Sequence, residues 1–351
     1  MPAGIVFLAS QQEAVSLSEN KQNLLSEIAN CTVVNGVRYS ADDSPYHVMD
    51  VYMPTGQGPF PAIIYIHGGG WVKGSRADYN TTASFYAKRG IAGFSIDYAL
   101  TTQNHTAWPD NAQDVVEAIR FIIQNAENYS VDATRLAVLG YSAGAQFASL
   151  AGTLSGNESF LLGSSGNETI RSHVSLVMDY SGATDFDYIG KYANETLIYH
   201  ILTNALGNVT YSENPNLWHQ ASAATYISSD DPIFFIVHGT ADFIVPISVA
   251  ESFNTKLQAA GVETHFVRLV GGDHEILTNP EENQIVRYSL EPLLKRVFHL
   301  DQPSTAGFTT PLLFSPLLML IAAIIHSKIS MKFGAPAGIW TRVRDSRGRY
   351  T

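Results

Sequence analysis

From about residue 45 to residue 298 the chain alternates two kinds of apolar run. Short runs rich in Ile, Val and aromatics fall at 47–53, 61–67, 91–97, 136–141, 174–180, 232–238 and 264–270. Bounded by Gly, Pro or Asp, they read as strands. Between them lie longer runs with apolar residues at helical spacing. Ala112, Val115, Val116, Ile119, Ile122 and Ile123 mark one at 110–124, and 143–154, 247–260 and 280–298 read likewise. Strands separated by helices are joined by crossovers rather than hairpins. The pattern therefore predicts an α/β fold, a mainly parallel central sheet flanked by helices on both faces. At 351 residues and 45% apolar, the chain has enough material for a large core.

One interval breaks the rhythm. Residues 182–231 hold no strand signal, only helical patches such as 197–206. The interval joins the strand ending near Tyr180 to the one starting at Pro232, which places it over the C-terminal edge of the sheet. It is expected to be a cap-like insertion that shapes a pocket; the alternative is a surface excursion unrelated to substrate.

Two short strings sit at strand ends. Gly140-Tyr141-Ser142-Ala143-Gly144 follows the buried run Leu136-Ala137-Val138-Leu139 and opens a helix. This is a G-x-S-x-G nucleophile elbow, in which glycines permit a tight turn that lifts the serine hydroxyl off the sheet. His67-Gly68-Gly69-Gly70-Trp71 follows an earlier strand. Glycine there lets backbone N–H groups face a developing oxyanion, so Gly69 and Gly70 are assigned to the oxyanion hole with Ala143. Tyr141 and Trp71 are assigned to substrate binding; for Trp71 simple core packing stands as an equal alternative.

A serine hydroxyl needs a base, and the base an orienting acid. Of eleven histidines, His274 is the best base, since it follows the 264–270 strand and the turn Gly271-Gly272-Asp273. His67 belongs to the glycine loop, and His238 is expected to pack the loop after it. Asp242, in His238-Gly239-Thr240-Ala241-Asp242, lies directly after a strand and between Ser142 and His274 in chain order. Asp185 comes one strand early, Asp230 and Asp231 precede their strand, and Asp273 adjoins His274.

With these residues in place, the chain resembles the esterase/lipase branch of the α/β-hydrolase superfamily, including hormone-sensitive-lipase-like carboxylesterases and the bacterial feruloyl/acetylxylan esterase group. The matching features are Asp50-Val51-Tyr52, His67–Trp71, Ser95-Ile96-Asp97-Tyr98, Trp108-Pro109 ahead of Asp114, the elbow, Asp242 and His274, over about residues 45–298. Two departures are Tyr98-Ala99-Leu100, where these families often have Tyr-Arg-Leu, and Gly144-Ala145-Gln146, where they often continue Gly-Gly-His. The resemblance implies an α/β-hydrolase fold and a serine carboxylic-ester hydrolase acting through an acyl-enzyme on small or medium esters. It implies no metal and no organic cofactor. An amidase or peptidase on the same triad is the nearer alternative; a non-catalytic surface binding protein on a hydrolase scaffold is the more distant one.

Charge and flanking segments bear on partners and compartment. The net charge is −11, while residues 326–351 carry six Lys and Arg against one Asp, so the body is more acidic than the total shows. Such a body repels phosphate and argues against nucleic-acid binding. A single cysteine, Cys31, allows no internal disulfide and no cysteine metal site. Sequons occur at Asn30, Asn80, Asn104, Asn128, Asn157, Asn167, Asn194 and Asn208. Their density predicts a glycoprotein outside the cytoplasm. Residues 1–44 read as a polar lead-in, with an apolar run at 3–9 that is a weak signal segment or a first strand. No charged side chain falls in 303–325, which reads as a candidate C-terminal transmembrane segment, although Pro311 and Pro316 interrupt it. A lipid-anchor signal and a buried core helix are its alternatives. Residues 326–351 read as a disordered basic tail. The catalytic domain is thus expected at 45–302, outside the cytoplasm and tethered by its C-terminus.

Overall fold

A computed structural model describes residues 30–154, 174–276 and 280–300 of the protein. The apolar run at 3–9, Asn157, Asn167, the candidate membrane segment 303–325 and the tail 326–351 lie outside the described residues. Among the described residues no helix is long and apolar enough to cross a membrane.

Eight strands form one sheet: β1 (Cys31–Arg38), β2 (Val48–Pro54), β3 (Phe60–Ile66), β4 (Ala92–Ile96), β5 (Val131–Tyr141), β6 (Val174–Tyr180), β7 (Ile233–Gly239) and β8 (Thr264–Leu269). Their spatial order is β1-β2-β4-β3-β5-β6-β7-β8. β1 and β2 pair antiparallel, as do β2 and β4; every pairing from β4 to β8 is parallel. β3 and β4 are buried along their whole length, so their sequences are near-continuous apolar runs, with Ser95 the one polar side chain, rather than alternating ones.

The strand β1 revises the reading of residues 1–44 as a lead-in, because Cys31–Arg38 is the sheet's edge strand. Most of its side chains are exposed, so it carries no apolar face, and its register with β2 shifts between Val34 and Val37 around Gly36, which takes φ +72°. Both features erase the alternation by which a strand is recognised. β5 likewise starts at Val131, earlier than its apolar core at 136.

Helices cover both faces. On one lie α2 (Asp110–Gln124), α3 (Ala143–Thr153) and α7 (Ile247–Ala259); on the other lie α1 (Asn80–Ala87) and α8 (Pro280–Phe298). In α8 the buried residues Val286, Leu290, Leu293, Leu294 and Phe298 keep the spacing of one helical stripe. α3 has no such stripe: every residue in it is buried, and most are small. Between β6 and β7 the chain forms α4 (Phe186–Tyr192), α5 (Leu197–Ala205), α6 (Pro215–Ala221) and a 3-10 turn at Ala223–Thr225, with no strand. The chain runs from β3 to β4 on one side and then to β5 on the other, so strand order reverses beside β3. The C-terminal ends of β3 and β5 therefore open onto the crevice of the sheet.

All six sequon asparagines among the described residues, Asn30, Asn80, Asn104, Asn128, Asn194 and Asn208, are exposed.

Two glycines fix how α3 meets the sheet. A Cβ on Gly144 would stand 2.0 Å from the carbonyl oxygen of Ile66, and one on Gly140 would stand 2.1 Å from that of Gly144. Neither neighbour is a side chain that can swing away. Gly261, by contrast, needs only its left-handed φ of +87° and has no atom within 4 Å of a built Cβ. Chemical unfolding should therefore separate them: Gly144→Ala loses about 3 kcal/mol or more, whereas Gly261→Ala loses only about 1–2 kcal/mol.

Candidate active site

The elbow occupies the end of β5. Ser142 takes φ 54° and ψ −118°, and its N–H donates to the carbonyl of Tyr180 at 2.8 Å, which pins the turn to β6. Ser142 is half-buried at the start of α3, whose first N–H groups have no intrahelical partner. Nε2 of His274 lies 2.9 Å from its hydroxyl. Nδ1 of His274 donates to Oδ2 of Asp242 at 2.7 Å. The three side chains, from the ends of β5, β7 and β8, thus form one hydrogen-bonded chain at the C-terminal edge of the sheet. His274 is 5% exposed and Asp242 7%, so only the serine end faces outward.

Asp242 is held from several sides. Its Oδ1 accepts the N–H groups of Ile244 and Val245, both at 2.9 Å. Nε2 of His238 stands 3.2 Å from Oδ2 and 2.8 Å from the carbonyl of Val245. Burial alone would raise this carboxyl, but the hydrogen bonds from His238 and His274 outweigh it and hold it down at about 2. His238 therefore touches the acid directly, beyond the packing role expected of it.

The glycine loop turns beside the serine. Gly69 takes φ +116° and Gly70 φ +61°. A Cβ on Gly69 would meet the backbone of Lys73 at 2.1 Å, and one on Gly68 the carbonyl of Tyr141 at 2.8 Å. Among the described residues none accepts a hydrogen bond from the N–H of Gly69, Gly70 or Ala143. Three free donors beside a serine oxygen can receive an oxyanion. His67 plays a different part: it is buried, its Nδ1 donates to the Gly68 carbonyl at 2.8 Å, and its ring stacks on Tyr98 at 4.2 Å. Burial pushes its imidazole down. Tyr98 in turn donates its hydroxyl to the His67 carbonyl at 2.7 Å.

The two residues assigned to substrate binding are engaged with the protein. Tyr141 donates its hydroxyl to the His274 carbonyl at 3.0 Å, so it braces the histidine loop. Trp71 is 4% exposed, packs edge-on against Phe186 at 6.0 Å, and donates its indole N–H to Oε1 of Gln146 at 3.2 Å. For Trp71 the core-packing alternative describes what is seen.

Some supporting residues were quoted in the sequence only as pattern. Asp50 accepts from Nε of Arg76 at 2.9 Å, and Asp97 accepts the Arg76 N–H at 2.7 Å and pairs with its guanidinium. Together they fasten the far end of the glycine loop. Asp114 accepts from His47 and from the Ala99 N–H, each at 2.8 Å. Gln146 was legible only as a departure from Gly-Gly-His. Its amide N–H donates to the Ala221 carbonyl at 2.8 Å, so one side chain joins the loop, α3 and the end of α6. Ile201 of α5 is the neighbour that a Cβ on Gly70 would meet, at 3.4 Å, which sets the insertion over the glycine loop. Among the described residues no cluster of His, Cys, Asp and Glu could hold a metal.

This geometry agrees with what the chain is similar to. The BD-FAE family profile matches residues 49–257, a span that holds Ser142 and Asp242 but ends before His274. Esterase LipC of Mycobacterium tuberculosis is 28% identical over 239 residues, which cover 66% of this chain and 57% of LipC. Isoprenylcysteine alpha-carbonyl methylesterase ICME of Arabidopsis thaliana is 25% identical over 236 residues, covering 66% of this chain and 54% of that protein. The chain thus spans little more than half the length of these relatives. A solved structure, a truncated form of a carbohydrate esterase from gut microbiota, is similar with a TM-score of 0.65 at 25% identity, over 76% of this chain and 97% of that one. The chain belongs to the BD-FAE family, in the esterase/lipase branch of the α/β-hydrolase superfamily.

Proposed function

We propose that the protein is a serine carboxylic-ester hydrolase that acts on small or medium esters. The observation that carries this is the hydrogen-bonded chain Ser142–His274–Asp242 beside three backbone N–H groups that have no acceptor among the described residues. The Ser142 hydroxyl attacks the ester carbonyl while Nε2 of His274 takes its proton. The carbonyl oxygen, now negative, is received by the N–H groups of Gly69, Gly70 and Ala143. Collapse expels the alcohol, which takes the proton back from His274, and leaves an acyl-serine. Water, deprotonated by His274, then releases the acid and restores the serine. Asp242 stays ionised throughout, fixes the imidazole tautomer and stabilises the imidazolium. The names of the relatives as esterases support the bond type, and Ile201 over the loop supports a limited space for the ester.

The same reading puts the catalytic body outside the cytoplasm, glycosylated and tethered through residues 303–325. The exposure of all six described sequon asparagines supports the glycosylation.

The acyl-enzyme route makes sharp demands. A fluorophosphonate probe should label the folded protein once, on Ser142, and hydrolyse short p-nitrophenyl esters should be lost in Ser142→Ala; a labelled or active alanine variant would refute the assignment. Asp242→Asn should keep the fold but lower kcat by roughly ten-thousandfold. It should also change acid unfolding. A carboxyl lowered from 3.8 to about 2 contributes stability above pH 4 that is lost as the pH falls towards 2, and the Asn variant lacks that step. For compartment, endoglycosidase treatment of protein from a secretory host should reduce its mass; an unchanged mass would count against glycosylation.

A further inference from the structure

Behind the triad the sheet buries a second carboxyl that the reaction above does not use. Asp179, on β6, is 1% exposed. Its Oδ1 accepts the Gly182 N–H at 3.0 Å, while Oδ2 has no hydrogen-bond partner among the described residues. On β7, His238 is fully buried, and its Nδ1 has no partner either. Buried polar atoms left unpaired are few in a folded protein, and each calls for an explanation.

Their placement supplies a common one. Asp179 registers with Ile236 on the neighbouring strand. Alternate residues of a strand share a face, so Asp179 and His238 point to the same side of the sheet, the side covered by α3. Their chemistry is complementary. Nε2 of His238 faces two acceptors, the Val245 carbonyl and Oδ2 of Asp242, and so carries hydrogen. In a neutral imidazole Nδ1 then bears a lone pair. A protonated carboxyl offers an O–H. Burial pushes Asp179 up to about 7, against the pull of His238 and the Gly182 N–H, so its acid form is present near neutrality. Other charged groups leave the pair alone. α3 contains none, and Asp185 at the head of α4 is closed by Lys256 and Ser252 of α7, at 2.6 and 2.7 Å. On the other side of His238 stands Asp242, and beyond it His274.

We propose, resting on the serine-esterase reading, that Asp179 is a positioning residue whose carboxyl O–H reaches Nδ1 of His238 through one bridging water, the two atoms having no direct partner. It thereby keeps the hydrogen of His238 on Nε2, where it supports Asp242. The chain of contacts runs Asp179–His238–Asp242–His274–Ser142. Oδ2 of Asp242 receives both imidazoles, so a hydrogen bond from His238 takes up part of the negative charge that faces His274. With no donor for Nδ1, His238 can adopt the other tautomer, and Nε2 then turns a lone pair on two acceptors. Asp242 loses a donor, its charge binds the His274 imidazolium more tightly, and the acid limb of kcat/KM moves to higher pH.

The test compares the full-length protein with Asp179→Asn and Asp179→Leu. Active sites are counted with a fluorophosphonate, and kcat/KM for p-nitrophenyl acetate is followed against pH. Asn keeps an acceptor for Gly182 and offers N–H in place of O–H, so Asp179→Asn should stay within about twofold of the parent with the same acid limb. Asp179→Leu should fall roughly tenfold, with the limb about half a pH unit higher. Unchanged rate and limb in Asp179→Leu, or an Asn variant that behaves like Leu, overturns the proposal. Should Asp179→Leu fail to fold, nitrogen-15 NMR of the parent histidines decides: an Nδ1 resonance of His238 shifted as that of a hydrogen-bond acceptor supports the contact, and hydrogen on Nδ1, or an Nδ1 lone pair that accepts no bond, overturns it. A parent protein that resists the fluorophosphonate refutes the serine reading instead, and the NMR still decides the contact.

Discussion

The site depends on one close approach of backbones. The carbonyl of Ile66, at the end of β3, lies where a side chain on Gly144 would begin, and the carbonyl of Gly144 does the same to Gly140. Without these absences α3 could not seat its first turn beside the loop that follows β3. That seating brings the N–H of Ala143 and those of the glycine loop to one side of Ser142. It also leaves Ser142 in a backbone conformation that few residues other than glycine adopt, φ 54° with ψ −118°. The neighbours hold it there: the Tyr180 carbonyl takes its N–H, and the buried helix behind it cannot rotate.

Electrostatics follows the same plan of burying charge only with company. Asp242 is nearly inaccessible yet ionised because two backbone N–H groups and two imidazoles reach it. Asp50 and Asp97 share Arg76, and Asp185 is matched by Lys256. Asp179 differs in having a single backbone donor, and burial accordingly moves it towards its neutral form. Among the described carboxyls, Asp242 is held down by its donors, whereas burial raises both Asp114 and Asp179.

Much of this was legible in the residues. The central strands show because burial on both faces leaves mostly apolar side chains, and the elbow shows because only glycine tolerates the contacts around Ser142. Position after a strand, with chain order, singled out Asp242 and His274, which the structure brings together with Ser142. What was illegible has physical causes. β1 is exposed and bulged, so it carries no alternation. The engagement of Tyr141 with the His274 carbonyl and of Trp71 with Gln146 depends on side-chain direction, which spacing does not encode. Asp179 lies inside the run at 174–180 with no signal of its own, since its place on the face it shares with His238 arises only from the register of the neighbouring strand.

Gln146 gives the insertion between β6 and β7 a particular standing. With one amide it holds Trp71 through its oxygen and the Ala221 carbonyl through its nitrogen, one turn along the helix from Ser142. A change at Gln146 would therefore release Trp71 and the Ala221 carbonyl together, so the glycine loop and the end of α6 would lose their common tie to α3 in a single substitution.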